Sequence, residues 1–199
     1  MFGYIPGLMF YPRKEWQRMS ALGDEEIKRL LPYAFLMPLL PVIGAYIGVT
    51  KVGWSVVGED VVTVTEASAI PLIVMVYFAL LGGIVFIGLM VSWMSQTYQT
   101  KPFPIKGVVL MSYACTPMFL AGTLAVYPIW WLDIFVGSAA AVYVIYLVYI
   151  AVPSMMQVPW DRGFLYASAV FMVALVYTVV LLVGTAMIWE YVATPVFTN

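Results

Sequence analysis

The stretch 107–153, GVVLMSYACTPMFLAGTLAVYPIWWLDIFVGSAAAVYVIYLVYIAVP, is a pair of apolar arms meeting at Val126-Tyr127-Pro128-Ile129-Trp130. Neither arm holds a charge deeper than Asp133. A tight turn between two uncharged runs of about 20 residues reads as two helices crossing the roughly 30 Å hydrocarbon layer of a membrane and returning. The composition extends that reading to the whole chain. Of 199 residues, 64% are hydrophobic and only 10% charged, with a mean hydropathy of +0.98. Water could not keep such surfaces apart. Further spans are expected at 31–49, 70–94 and 164–189 beside 107–126 and 129–152. The fold class is therefore all-α, an integral membrane bundle of five transmembrane helices forming one domain over 1–199.

What is missing excludes most chemistry. The chain has no histidine, the commonest general base near neutral pH and the commonest zinc ligand. No enzymatic activity, cofactor or metal site is expected. A net charge of −1 also argues against nucleic acid, which needs a basic surface to replace condensed counterions. Cys115 stands alone in an apolar run, so no internal disulfide is available.

Segment 1–30 precedes the first span. Met1 to Tyr11 is aromatic and glycine-rich and lacks the pattern of a cleaved signal peptide. Pro12 suits a first helical position, and Trp16, Met19 and Leu22 then recur opposite Arg13, Lys14 and Arg18. Two readings are open: an amphipathic helix lying on the membrane surface, or a cap folded over the ends of the spans. Gly23 ends this helix and Asp24 can cap the next.

Within the first span, Pro38 and Pro41 each remove a backbone donor, so a kink or break is expected. Gly44 and Gly48, Gly88 with Ser92, and Gly137 with Ala141 are small residues four apart, the spacing that lets helices approach closely. The connection 51–68 has β-branched runs on either side of Gly58-Glu59-Asp60, consistent with a small hairpin. The loop 95–106 is a short, stiff turn.

Lys and Arg distribute unevenly. Arg13, Lys14, Arg18, Lys28, Arg29, Lys101, Lys106 and Arg162 fall on one side and only Lys51 on the other. The positive-inside rule then places the N-terminus in the cytoplasm and the C-terminus outside. Trp54, Trp130, Trp131 and Trp189 mark the outer boundary and Trp93 and Trp160 the inner.

Several stretches taken together resemble the Yip-domain family of multispanning membrane proteins, in its bacterial YohC-like inner-membrane branch. They are Leu39-Leu40-Pro41-Val42-Ile43-Gly44-Ala45-Tyr46-Ile47-Gly48 with Gly53-Trp54; Tyr113-Ala114-Cys115-Thr116-Pro117 with Phe119-Leu120-Ala121-Gly122; Leu124-Ala125-Val126-Tyr127-Pro128 with Trp131-Leu132; and Val152-Pro153-Ser154. The resemblance implies five transmembrane helices, a cytoplasmic N-terminus and a bacterial inner-membrane location. Eukaryotic relatives are associated with Rab GTPases, prenylated partners and vesicle traffic. This chain lacks their long soluble N-terminal region and acidic Asp-Leu-Tyr-Gly-Pro type motif, so a Rab-binding role does not carry over.

Two places hold candidate chemistry. Pro117 deprives the Tyr113 carbonyl of its helical partner, a loss that hydrocarbon makes expensive unless Ser112, Thr116 or a neighbouring helix compensates. Tyr113, Thr116 and Pro117 are thus a candidate polar notch or groove; the plainer reading, a packing kink, is preferred because membrane helices tolerate proline. At the outer boundary Asp133, Glu66 and Glu190, with Glu59 and Asp60, form a candidate carboxylate site facing only Lys51. Interfacial carboxylates in contact with water are the plainer reading there.

No span carries a charge at mid-depth, which speaks against proton-coupled transport and voltage sensing. The expected function is therefore association: a homo-oligomer or a scaffold for another membrane protein, organising the lipid bilayer in which it sits. The alternative is a channel, transporter or lipid-moving protein with a groove formed by kinked helices 1 and 3.

Overall fold

Residues 1–20 pack against the bundle through a few buried side chains. The computed structural model describes residues 1–55, 61–98, 100, 103–191 and 196–198, with side chains through 188 and at 196–197. A 3-10 turn, Phe2–Tyr4, leads into α1 (Ile5–Phe10), and α2 (Pro12–Ser20) turns back from it. Leu8, Trp16 and Met19 are fully buried, and α2 lies against the fourth span. Of the two readings left open for this segment, the packing fits the cap and not the helix lying on the membrane surface. The apolar face of α2 is used up on protein, leaving Arg13, Lys14 and Arg18 outward.

α3 (Asp24–Lys28) starts after Gly23, whose N–H is accepted by the Glu26 carboxylate at 3.0 Å. Gly23 is therefore the capping position, and Asp24 sits inside the first turn beside Glu25 and Glu26, where carboxylates suit the helix dipole. The first span follows in pieces. α4 (Pro32–Leu36) and α5 (Leu39–Ile47) are separated at Met37–Pro38, and a π-helical turn, Gly48–Val52, closes the segment.

The connection 51–68 is not a simple hairpin. Trp54 and Val62 exchange N–H···O bonds of 3.0 and 2.9 Å, while Val56 to Asp60, including Glu59, lie outside the described residues. Beyond Val62 the chain changes partner. β1 (Thr63–Val64) pairs antiparallel with β2 (Phe197–Thr198), and Phe197 meets Trp54 edge to face. Two strands alone are marginal, so this pair rests on the ends of the helices it joins.

α6 (Glu66–Met94) is one unbroken helix, with Pro71 inside it. The third span breaks: α7 (Pro104–Ala114) and α8 (Thr116–Ala121) meet at Cys115 with a bend of 43°, and a 3-10 turn, Gly122–Val126, continues it. One end lies beside Ser92, whose hydroxyl donates to the Phe103 carbonyl at 3.0 Å; the other lies against Gly44 and Gly48. The bent pair therefore traverses the bundle once. α9 (Trp130–Met156) and α10 (Trp160–Tyr191) complete it, with Gln157 left-handed at φ 55° in the turn between them. Four helical runs are long and apolar enough to span a membrane, and the bent pair makes the fifth crossing.

Burying an apolar side chain away from lipid gains little, so membrane helices associate by close packing. The glycines show where. A Cβ on Gly44 would stand 3.2 Å from the Gly122 and Thr123 carbonyls, one on Gly48 would overlap the Ala125 carbonyl, and one on Gly88 would strike the backbone of Val108. Gly122 in turn receives the Pro41 ring. The two broken spans, first and third, are thus locked along one another.

Candidate functional site

Tyr113 closes α7 one turn before Pro117, which carries no N–H for the Tyr113 carbonyl. The Thr116 hydroxyl takes that place, donating to the carbonyl at 2.7 Å. Thr116 has one hydroxyl hydrogen, so its 2.7 Å contact with Tyr33 must be a bond donated by the phenol. The break in α4–α5 brings Tyr33 here. Its ring stacks on that of Tyr113 with centroids 3.9 Å apart and planes within 6°. Tyr33, Tyr113, Thr116 and Pro117 are all buried.

The N-terminal segment fills what remains. Phe2 lies against Tyr33 and Tyr4 edge-on to Tyr113, each with ring centroids 6.0 Å apart. Tyr113 is nine residues from Pro104, about 14 Å up the helix at 1.5 Å per residue, so residues 1–10 reach roughly to mid-depth. Irregular backbone survives there only when protein satisfies its polar groups. Tyrosines do so: the Tyr113 hydroxyl donates to the Met1 carbonyl at 3.0 Å, and the Tyr143 hydroxyl to the Leu8 and Met9 carbonyls at 3.1 and 2.8 Å. Leu8 and Met9 end a short helix, where carbonyls lack intrahelical donors. Replacing Tyr143 with phenylalanine should therefore lower the unfolding midpoint of the purified protein by the equivalent of about 1–3 kcal/mol, since the one phenol proton that the two carbonyls share is lost. An unchanged midpoint would mean that water or another group already serves them.

Two features were out of reach of sequence reasoning: the partnership of Tyr33 and the seating of residues 1–10. The second left a trace, an aromatic stretch free of charge up to Arg13.

The comparisons with known proteins follow the same architecture. A Yip1 domain model matches residues 7–181, from within α1 through most of α10. The chain belongs to the Yip1 domain family. It is 29% identical over 188 residues to the inner membrane protein YohC of Escherichia coli strain K12, covering 94% of this chain and 96% of that one. The YohC of Escherichia coli O6:H1 strain CFT073 matches to the same extent. No solved structure matches. With the relatives' inner-membrane description, the apolar helices support a multi-pass bacterial inner-membrane protein.

Elsewhere on this Yip1 domain the remaining candidates separate. Glu66 starts α6 and is ion-paired with Lys51 at the end of the first span, both side chains largely exposed. Asp133 sits in the first turn of α9, half-buried. The Glu190 side chain lies outside the described residues. Among the described residues, no three carboxylate, thiol or imidazole side chains gather as a cation site would require. Trp130, Trp131, Trp93 and Trp160 are each more than half exposed, as residues at the membrane–water boundary are.

The expected helix seat at Gly137 and Ala141 is corrected. A Cβ on Gly137 would meet no atom within 4 Å among the described residues, so no close helix approach is made at Gly137. Ala141 instead lines a cavity between α9 and α10. Gly44, Gly48 and Gly88 make the close approaches described above.

Proposed function

We infer that this Yip1-domain protein is a non-enzymatic integral membrane protein that works by association, as a homo-oligomer or as a scaffold for another membrane protein, with its N-terminus cytoplasmic. The carrying observation is the contrast between inside and outside. Between the first, third and fourth spans lie the Tyr33–Tyr113 stack, the buried Leu8 and the partly buried Met1, Tyr4 and Ile5, and no span holds a charge at mid-depth. The outer side of α9 is bare around Gly137, flanked by Ile134 at 63% and Phe135 at 71% exposure. Small residues facing outward suit close approach by another helix.

The alternative, a channel, transporter or lipid-moving groove along the first and third spans, would need a path past Tyr113 and Thr116. Those residues are fully buried and their hydroxyls are committed. The deciding experiment counts copies: fluorescently labelled protein is diluted into lipid vesicles and bleaching steps are scored per particle. More than one step is expected, with Gly137→Leu shifting the distribution toward single steps. Single steps at every protein density would refute association with itself.

A further inference from the structure

A cavity of about 350 Å³ lies between α9 and α10, floored by Met111 and Cys115 at the bend between α7 and α8. We propose that it binds one hydrocarbon chain of a membrane lipid, inserted from the bilayer between the two helices while the headgroup stays at the boundary.

The lining decides the chemistry. Its only heteroatoms on side chains besides methionine sulfur are the Cys115 thiol and the Thr178 hydroxyl, and the latter already donates to the Ala174 carbonyl at 2.9 Å. Water needs two to four polar partners and would find almost none; an apolar cavity of about 150 Å³ stays dry yet accepts benzene. The volume here is more than twice that and within the ~300–1,000 Å³ of ordinary ligand sites. Leaving such a void empty forfeits contacts on every wall, a cost that grows with its size.

The position decides the source. Val144 and Leu175 stand within one residue of the middle of α9 and α10, and Cys115 divides the third span near its centre. At that depth the surrounding solvent is lipid chain. The cavity is continuous with the lipid-facing surface: Leu175, on its lining, is 43% exposed, and the adjoining Met172 is 60% exposed. No charged group lines it to hold a headgroup, so only a tail fits. The site does not depend on the number of copies in the assembly.

The test is photolabelling. Full-length protein is reconstituted in vesicles of phosphatidylethanolamine and phosphatidylglycerol containing a phosphatidylethanolamine with a diazirine midway along one acyl chain; adducts are mapped after illumination. Adducts are expected at the floor, on Met111 and Cys115, as well as on the outward Met172. Ala174→Leu and Ala141→Leu, which fill the cavity, should abolish the floor adducts and leave those at Met172. The proposal fails if Met111 and Cys115 stay unlabelled in the wild type while Met172 is labelled, as would happen were a second copy's side chain to occupy the cavity. It fails equally if both filled variants keep their floor adducts. The wild-type map decides even if a variant does not fold.

Discussion

Gly48→Val and Gly107→Val each leave no folded protein in the membrane. At Gly48 the added carbons would overlap the Ala125 carbonyl, and at Gly107 the Gly88 carbonyl and the Ser92 hydroxyl. Overpacking a core typically costs about 1–3 kcal/mol because side chains can shift. Here the obstacle is backbone on a neighbouring helix, which moves only if the whole helix does, and close approach is what holds membrane helices together. The expected loss exceeds that range and should read as absence of a monodisperse peak after detergent extraction. Gly137→Val, at a position facing open space, is the control and should give a normal yield. Normal yields from all three would show that the contacts at Gly48 and Gly107 are looser than described.

Thr116→Val is the second large effect, and its cause can be isolated. Valine keeps the shape but removes the hydroxyl that donates to the Tyr113 carbonyl and accepts from the Tyr33 phenol; the carbonyl keeps one backbone donor, so the cost, about 1–3 kcal/mol, falls mainly on the buried phenol. Pro117→Ala supplies a new N–H at the position a helix would use to reach the Tyr113 carbonyl. In that background Thr116→Val should cost markedly less, and adding Tyr33→Phe should remove most of the remainder. The coupling is read from a double-mutant cycle on unfolding midpoints. Equal costs of Thr116→Val in both backgrounds would show that the hydroxyl does not substitute for the missing N–H.

These two cases mark what the residues disclose by themselves. Spans, the breaks near Pro38 and Pro117, and the close approaches at Gly44, Gly48 and Gly88 follow from local rules: apolar length, a missing donor, a missing Cβ. The compensation at Tyr113 was foreseeable for the same reason, since Thr116 is only three residues away. Tyr33 is 83 residues from Thr116 in sequence, and only the meeting of two broken spans joins them. Gly137 shows the converse. Its spacing from Ala141 equals that of Gly44 from Gly48, yet small residues announce only that close approach is allowed, not which surface takes it up. The pairing of Thr63–Val64 with the chain end likewise has no local signal, because two-residue strands are set by their surroundings. α2 left two readings open for a further reason: amphipathicity says that one face is apolar, and both lipid and protein can cover such a face.

The interior is occupied, with Leu8 of the N-terminal segment seated in it, and the outer surface is left to act. This seating is tested most directly by thiol reactivity in nanodiscs, where both faces are open to solvent. In a Cys115→Ala background, Leu8→Cys and Tyr11→Cys are each treated with a membrane-impermeant maleimide. Leu8 is fully buried and Tyr11 is 67% exposed. The cysteine at 8 should react about 100-fold more slowly than that at 11, because reaction must wait for local opening. Equal rates at the two positions would contradict the account.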